Sequence, residues 1–84
     1  MDVFLDATKK YVELSLNNDD EKYKYWNIYI KEVRAMSEEE LALALKEIGN
    51  KLLSKPSNES KIYSLIYNEL YRMFHEKRRK NTKH

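Results

Sequence analysis

The chain has 84 residues, of which 36% are charged and 42% are hydrophobic, and its net charge is +2. This length allows one domain with a single small core, and no apolar run reaches the roughly 20 residues that a membrane span requires. The absence of cysteine excludes disulfide bonds and thiolate metal sites. It also fits a reducing compartment, so we expect a cytoplasmic protein, and the N-terminus lacks the pattern of a signal peptide.

Apolar residues at helical spacing predict four helices. The first covers 3–16 and the second covers 19–35, with Asn18 as the expected N-cap of the second helix and Glu21 completing a capping box. Alternation of Trp26, Ile28 and Ile30 would also suit a β-strand, but no second strand-like run exists to pair with it, so a helix is preferred. The apolar stripes of the two helices contain Phe4, Ala7, Tyr11 and Leu14, and then Trp26, Tyr29, Ile30 and Val33.

The third helix has the strongest start signal. Ser37 lies three residues before Glu40, the spacing of a capping box, and the predicted helix covers 38–53. The fourth helix is predicted over 58–79, after the loop around Pro56. Gly49 indicates an early helix end or a close crossing with another helix. The two stripes contain Leu41, Leu45, Ile48 and Leu52, and then Tyr63, Tyr67, Leu70 and Phe74.

These elements predict an all-α fold, a small four-helix bundle with short connections. We expect residues 1–80 to form a single helical domain and residues 81–84 to form a frayed basic end. In general character the chain resembles small helical proteins of mobile elements and bacterial operons, although no set of its residues identifies a family.

Nothing in the sequence indicates catalysis. The acidic clusters at 19–21 and 38–40 lie at predicted helix starts, where the helix dipole explains them. His75 and His84 are the only histidines, and neither has a second histidine three or four residues away to share a metal ion. We therefore expect a non-enzymatic protein that uses no metal ion and no cofactor.

The C-terminal region is basic. Residues 72–84 contain six lysines and arginines and one glutamate, a net charge of +5, which leaves −3 for residues 1–71. Such a run either binds nucleic acid or complements the negative end of its own helix. Tyr63, Tyr67 and Tyr71 lead into it and suit a core, a protein interface or base stacking. The nucleic-acid interpretation uses Tyr71, Arg72, Lys77, Arg78, Arg79 and Lys80.

Three aliphatic residues, Ile28, Leu43 and Leu65, point away from the apolar stripes of their own helices. One such residue is ordinary, but one on each of three helices indicates a second contact surface. The sequence thus predicts an interaction or regulatory protein that binds a partner protein or a second copy of itself, with Tyr25, Trp26, Ile28, Leu43 and Leu65 as the interface. A closed homodimer is the preferred assembly, and a nucleic-acid-binding regulator is the alternative.

Overall fold

A computed structural model describes residues 2–82, and the side chains of 2–80. Four α-helices follow one another: α1 (Asp2–Leu16), α2 (Lys22–Arg34), α3 (Glu38–Ser54) and α4 (Ser57–Thr82). The predicted all-α four-helix bundle is confirmed, and the described residues contain no strand. Helix α4 extends three residues beyond its predicted end, and the last two residues of the predicted frayed end lie outside the described residues.

The helices pair as two hairpins. α1 packs mainly on α2, and α3 packs mainly on α4, while α4 also contacts α1 and α2. Only residues 55 and 56 separate α3 from α4, and such a short link makes consecutive helices antiparallel neighbours. Helix α4 is therefore the element that joins the two hairpins.

The core lies where the two hairpins meet. Leu41, Ala44 and Ile48 of α3 and Ile66 and Leu70 of α4 are fully buried there. The buried residues of α3 and α4 lie slightly to one side of the apolar stripes that the sequence predicts. The residues at the other edge of each stripe are therefore only partly buried. The partly buried side chains at that edge are Leu45, Leu52, Tyr67 and Phe74.

Helix α1 buries a residue that the apolar pattern does not reveal. Thr8 is buried beside Phe4, Ala7 and Val12. Its hydroxyl donates a hydrogen bond to the backbone carbonyl of Phe4 at 2.8 Å. This internal bond satisfies the polar group, so the threonine packs like a small apolar side chain.

The predicted start of α2 is wrong. Asn18 has a φ of 55° and follows the end of α1. The N–H of Asp19 donates to the carbonyl of Leu14 at 2.9 Å, and that of Asn18 donates to Ser15 at 3.2 Å. This pattern is a Schellman motif, in which asparagine is accepted at the left-handed position. Asn18 therefore ends α1, and α2 begins three residues later than predicted, with no side-chain cap at Glu21.

The predicted capping box of α3 is confirmed. The Glu40 N–H donates to Ser37 Oγ at 3.1 Å, and the Ser37 N–H donates to Glu40 Oε1 at 3.0 Å. At the other end of α3, Ser60 Oγ donates to the carbonyl of Leu52 at 2.9 Å. A side chain of α4 thus satisfies one of the carbonyl groups that a helix end leaves unpaired.

Two polar contacts fix α4 against the first hairpin and the link that follows it. The buried Tyr29 hydroxyl donates to the backbone carbonyl of Ile66 at 3.2 Å. Near the C-terminal end of α4, Lys77 Nζ donates to the carbonyl of Met36, which lies between α2 and α3. These contacts set the position of α4. They therefore also place the basic residues within 72–80, which we call the basic segment.

Candidate protein-interaction surfaces

A cleft of about 520 Å³ lies between α1 and α2. Tyr25 and Ile28 of α2 line it together with Val3 and Ala7 of α1. Val3 is 53% exposed. Charged side chains of both signs surround this apolar floor: Asp6, Lys9, Lys10 and Glu13. The structure therefore brings two of the five predicted interface residues into one apolar cleft.

Trp26 belongs to a different part of α2. Its ring stacks on Tyr29 at 4.8 Å and lies 5.0 Å from the ring of Tyr11, between ring centres. Tyr29 in turn packs on Phe4 at 5.5 Å. Two residues apart on a helix means about 200° apart around it, so Trp26 and Ile28 face different sides. Trp26 is partly buried and extends the core.

Leu43 and Leu65 are exposed but lie apart from the cleft and from each other. Leu43 is 57% exposed and Leu65 is 65% exposed. Leu43 lies on the edge of α3 that points away from α4, and Leu65 lies on the edge of α4 that points away from α3, as the helical phase of their buried neighbours requires. The five predicted residues therefore do not form one continuous patch.

The basic segment is engaged in contacts within the molecule. Arg72 forms ion pairs with Glu69 and Glu76, the latter at 2.9 Å. The hydrogen bond of Arg72 to Glu69 is the largest cause that raises the pKa of Arg72. Lys77 holds the Met36 carbonyl, and Arg78 lies 4.0 Å from Glu38. Residues predicted to contact nucleic acid, Arg72, Lys77 and Arg78 among them, thus have partners inside the protein.

Lys80 lines a cleft of about 320 Å³ together with Arg34 of α2 and Glu76 and Lys77 of α4. Arg34 comes from the last turn of its helix, 43 positions before Lys77 in the chain. Sequence reasoning missed this convergence, because nothing local indicates that the end of α2 meets the end of α4.

A ring ladder runs along one side of α4. The Tyr67 and Tyr71 rings are 6.2 Å apart, and Tyr71 meets the His75 ring edge-on at 4.4 Å. Tyr71 is 49% exposed. The ladder continues the predicted tyrosine series by one turn, through a histidine that packs as an aromatic ring.

Sequence reasoning missed the large apolar side chain that is the most exposed among the described residues. Leu53 is 88% exposed at the end of α3. The only available signal was its position directly after Leu52, which places it about 100° from the predicted stripe. Ala42 and Gly49 lie on the same side of α3 as Leu53, because the three residues follow each other at intervals of seven and four positions.

Two tyrosines, Tyr29 and Tyr63, have a raised pKa because they are packed in the core. Burial raises the pKa of Tyr29, with a smaller contribution from Glu69, and burial together with Glu59 and Glu13 raises that of Tyr63. Both phenols therefore stay protonated. Among the described residues, no three histidine, aspartate or glutamate side chains come together to hold a metal ion, and no helix is long and apolar enough to cross a membrane.

Comparisons with protein-family models, with curated proteins and with solved structures produced no match to this chain.

Proposed function

We propose that the protein is a non-enzymatic interaction module whose helices bind another protein, and that its first partner is a second copy of the same chain. The observation that carries this proposal is that several large apolar side chains are exposed outside the core. Val3, Leu43, Leu53 and Leu65 are all more than half exposed. A core this small gains from additional burial, and a homodimer supplies it.

The placement of the acidic groups also supports a binding role. Glu40 is held in the α3 capping box, and Glu69 and Glu76 are paired with Arg72. These carboxylates stabilise helices, which accounts for their presence without any reaction. His75 packs between the rings of Tyr71 and Phe74.

Nucleic-acid binding remains the second candidate, because Arg34, Lys77 and Lys80 line one cleft. The internal contacts of Arg72, Lys77 and Arg78 weaken it, since a cation paired with a carboxylate or carbonyl has less to gain from a phosphate. These contacts favour a structural role for the basic segment.

Light scattering after size exclusion separates the two candidates. The protein is run over a concentration series that reaches the high micromolar range, with and without duplex DNA at low salt. We expect a mass that rises towards that of a dimer with concentration and does not change with DNA. A monomer at every concentration would refute self-association. A shift with DNA that disappears at high salt would instead support the nucleic-acid candidate.

A further inference from the structure

From the placement of exposed apolar side chains on the second hairpin, we infer that a second copy of the chain docks on the side of α3 and α4 that faces away from α1 and α2. We call this side the outer α3–α4 face, and define it by Ala42, Gly49, Leu53, Tyr67, Tyr71 and His75. The inference rests on the proposed self-association and names the surface that carries it.

Helical phase assigns these residues to one side. The buried residues Ala44 and Ile48 mark the side of α3 that faces the core. Ala42, Gly49 and Leu53 follow each other at intervals of seven and four residues, which places them in a single row. That row lies more than 90° around the helix from Ala44, at 100° per residue. The Tyr67 ring lies 3.5 Å from the position that a Gly49 side chain would take, so the α4 ring ladder runs beside this row.

The face has a projecting leucine side chain and a hollow with an apolar part. Leu53 projects near one end of α3, at 88% exposure. Near the other end, a shallow hollow of about 220 Å³ is lined by Ala42 and Phe74, with the charged residues Glu38, Glu39 and Arg78 at its border. Leu53 and Ala42 are eleven residues apart, or about 16 Å along the helix. If α3 of one copy lies antiparallel to α3 of the other, each Leu53 can enter the hollow of its partner.

Glu38, Glu39 and Arg78 border the hollow together with Ala42 and Phe74. The lysines near the other end of α3, Lys51 and Lys55, line a cleft that faces α1, so they lie outside the outer α3–α4 face. In an antiparallel pair of α3 helices, the opposite ends of the two helix dipoles lie side by side and attract each other.

The Tyr67 ring of the same chain packs against Gly49, which lies close to the midpoint between Ala42 and Leu53, so this ring forms part of the centre of the face. Lys46 lies near the same midpoint, and its flexible stem lets the ammonium group reach solvent at the edge. The stacked Tyr67 and Tyr71 rings flank the crossing, and tyrosine is enriched in protein interfaces because it is rigid and amphipathic.

The size of the face predicts a reversible dimer. A 17-residue helix is about 26 Å long, and two helices side by side are about 20 Å wide. Such a face buries roughly 1,000 Å² in total over two copies, near the lower limit of specific interfaces. We therefore expect a dimer that dissociates on dilution.

The test compares three leucines that are all more than half exposed but differently placed. Leu53→Glu removes the projecting side chain, while Leu43→Glu and Leu65→Glu introduce the same charge on the outer edges of α3 and α4. We expect Leu53→Glu to raise the dimer Kd by about tenfold or more, whereas the two edge variants keep the wild-type Kd. Circular dichroism checks that all three retain their helices, since none of these leucines is in the core.

A cross-link tests the register directly, because the natural chain has no cysteine. Equal amounts of Ala42→Cys and Leu53→Cys protein are mixed and mildly oxidised. We expect the mixture to form a disulfide-linked heterodimer, while either variant alone forms little, since each position meets the other one in the partner. Leu43→Cys mixed with Leu65→Cys is the matched control.

The outcomes separate this inference from the proposed function. A wild-type protein that stays monomeric at all concentrations overturns both. A wild-type dimer that Leu53→Glu leaves intact, or that Leu43→Glu or Leu65→Glu disrupts instead, overturns the outer α3–α4 face and leaves self-association standing. Cross-linking of Ala42→Cys to itself, with no heterodimer of Ala42→Cys and Leu53→Cys in the mixture, overturns the antiparallel register.

Discussion

The Tyr29 hydroxyl shows how a single polar atom positions two helices. It is buried in the core and donates to the Ile66 carbonyl of α4. We expect Tyr29→Phe to lower the free energy of unfolding by about 1 kcal/mol, the typical net contribution of one hydrogen bond. Urea unfolding at neutral pH measures this loss. Tyr23→Phe is the matched control, since that side chain is exposed, and an equal loss in both variants would argue against the helix–helix bond.

The burial of Tyr29 also makes the free energy of unfolding depend on pH in the alkaline range. Burial raises the pKa of Tyr29 in the folded state above its unfolded value of about 10. The unfolded chain therefore loses this proton first, so the contribution of Tyr29 to stability is complete below about pH 10 and is lost as the pH rises towards the folded pKa. Unfolding experiments over this range should show a weaker alkaline loss for Tyr29→Phe than for the wild-type protein.

Gly49 lies inside a helix with an ordinary backbone. It does not end α3, which continues to Ser54, and a Cβ atom there would meet the Tyr67 ring at 3.5 Å, a normal contact distance. Glycine is about 1 kcal/mol less favourable than alanine in a helix interior. We expect Gly49→Ala to stabilise the dilute, monomeric protein by about 0.5–1 kcal/mol in urea unfolding. A loss of stability would mean that the Tyr67 ring has no room to adjust.

At the scale of the helix, the start of α3 depends on the capping box. Ser37→Ala removes the acceptor for the Glu40 N–H, and losing such a cap costs about 1 kcal/mol. Thermal unfolding should show this loss, while Ser57→Ala, at the first residue of α4, serves as the comparison. Equal effects would indicate that the capping box adds nothing beyond helix propensity.

The capping box also makes the free energy of unfolding depend on pH in the acidic range. The hydrogen bond from the Ser37 N–H, and then that with the Ser37 side chain, lower the pKa of Glu40 in the folded protein. The unfolded chain therefore binds this proton first as the pH falls. The stabilising contribution is present above the unfolded pKa of about 4.3 and is lost as the pH falls through the lower, folded value. Glu40→Gln should flatten this acid dependence in urea unfolding, and Glu39→Gln should leave it in place.

Signals within a few residues of each other were readable from the sequence. Ser37 and Glu40 define a helix start through contacts three residues apart, so the capping box could be predicted. Asn18 could not be assigned in the same way, because asparagine suits both an N-cap and the left-handed residue after a helix. Only the bond from Asp19 to the Leu14 carbonyl decides between them.

At the scale of the whole molecule, the packing of the two hairpins determines which exposed residues share a surface. The sequence identifies Leu43 and Leu65 as residues off their stripes, and both are exposed. Their separation onto opposite edges follows from the contact of α3 with α4, which no local pattern encodes. The role that we propose for Leu53 depends on packing in the same way, since the hollow at Ala42 exists only once Phe74 of α4 lies beside it.

The contacts of the last turns of α4 connect the basic segment to the stability of the whole bundle. Lys77 holds the Met36 carbonyl between α2 and α3, and Arg78 lies beside Glu38 at the start of α3. If the basic end of α4 made no contact with the rest of the bundle, its deletion would leave the free energy of unfolding unchanged. Because of these contacts, we expect deletion of residues 77–84 to lower the free energy of unfolding by about 1–2 kcal/mol.

Deletion of residues 81–84 alone is the matched control, since it keeps Lys77 and Arg78 and should change the urea midpoint little. The point variant Lys77→Met separates the hydrogen bond from the helix length, because it keeps an unbranched apolar stem and removes the ammonium group. It should reproduce a substantial part of the loss. If both Lys77→Met and the longer deletion unfold at the wild-type urea concentration, the segment is independent of the fold, and its charges are then better explained by a partner.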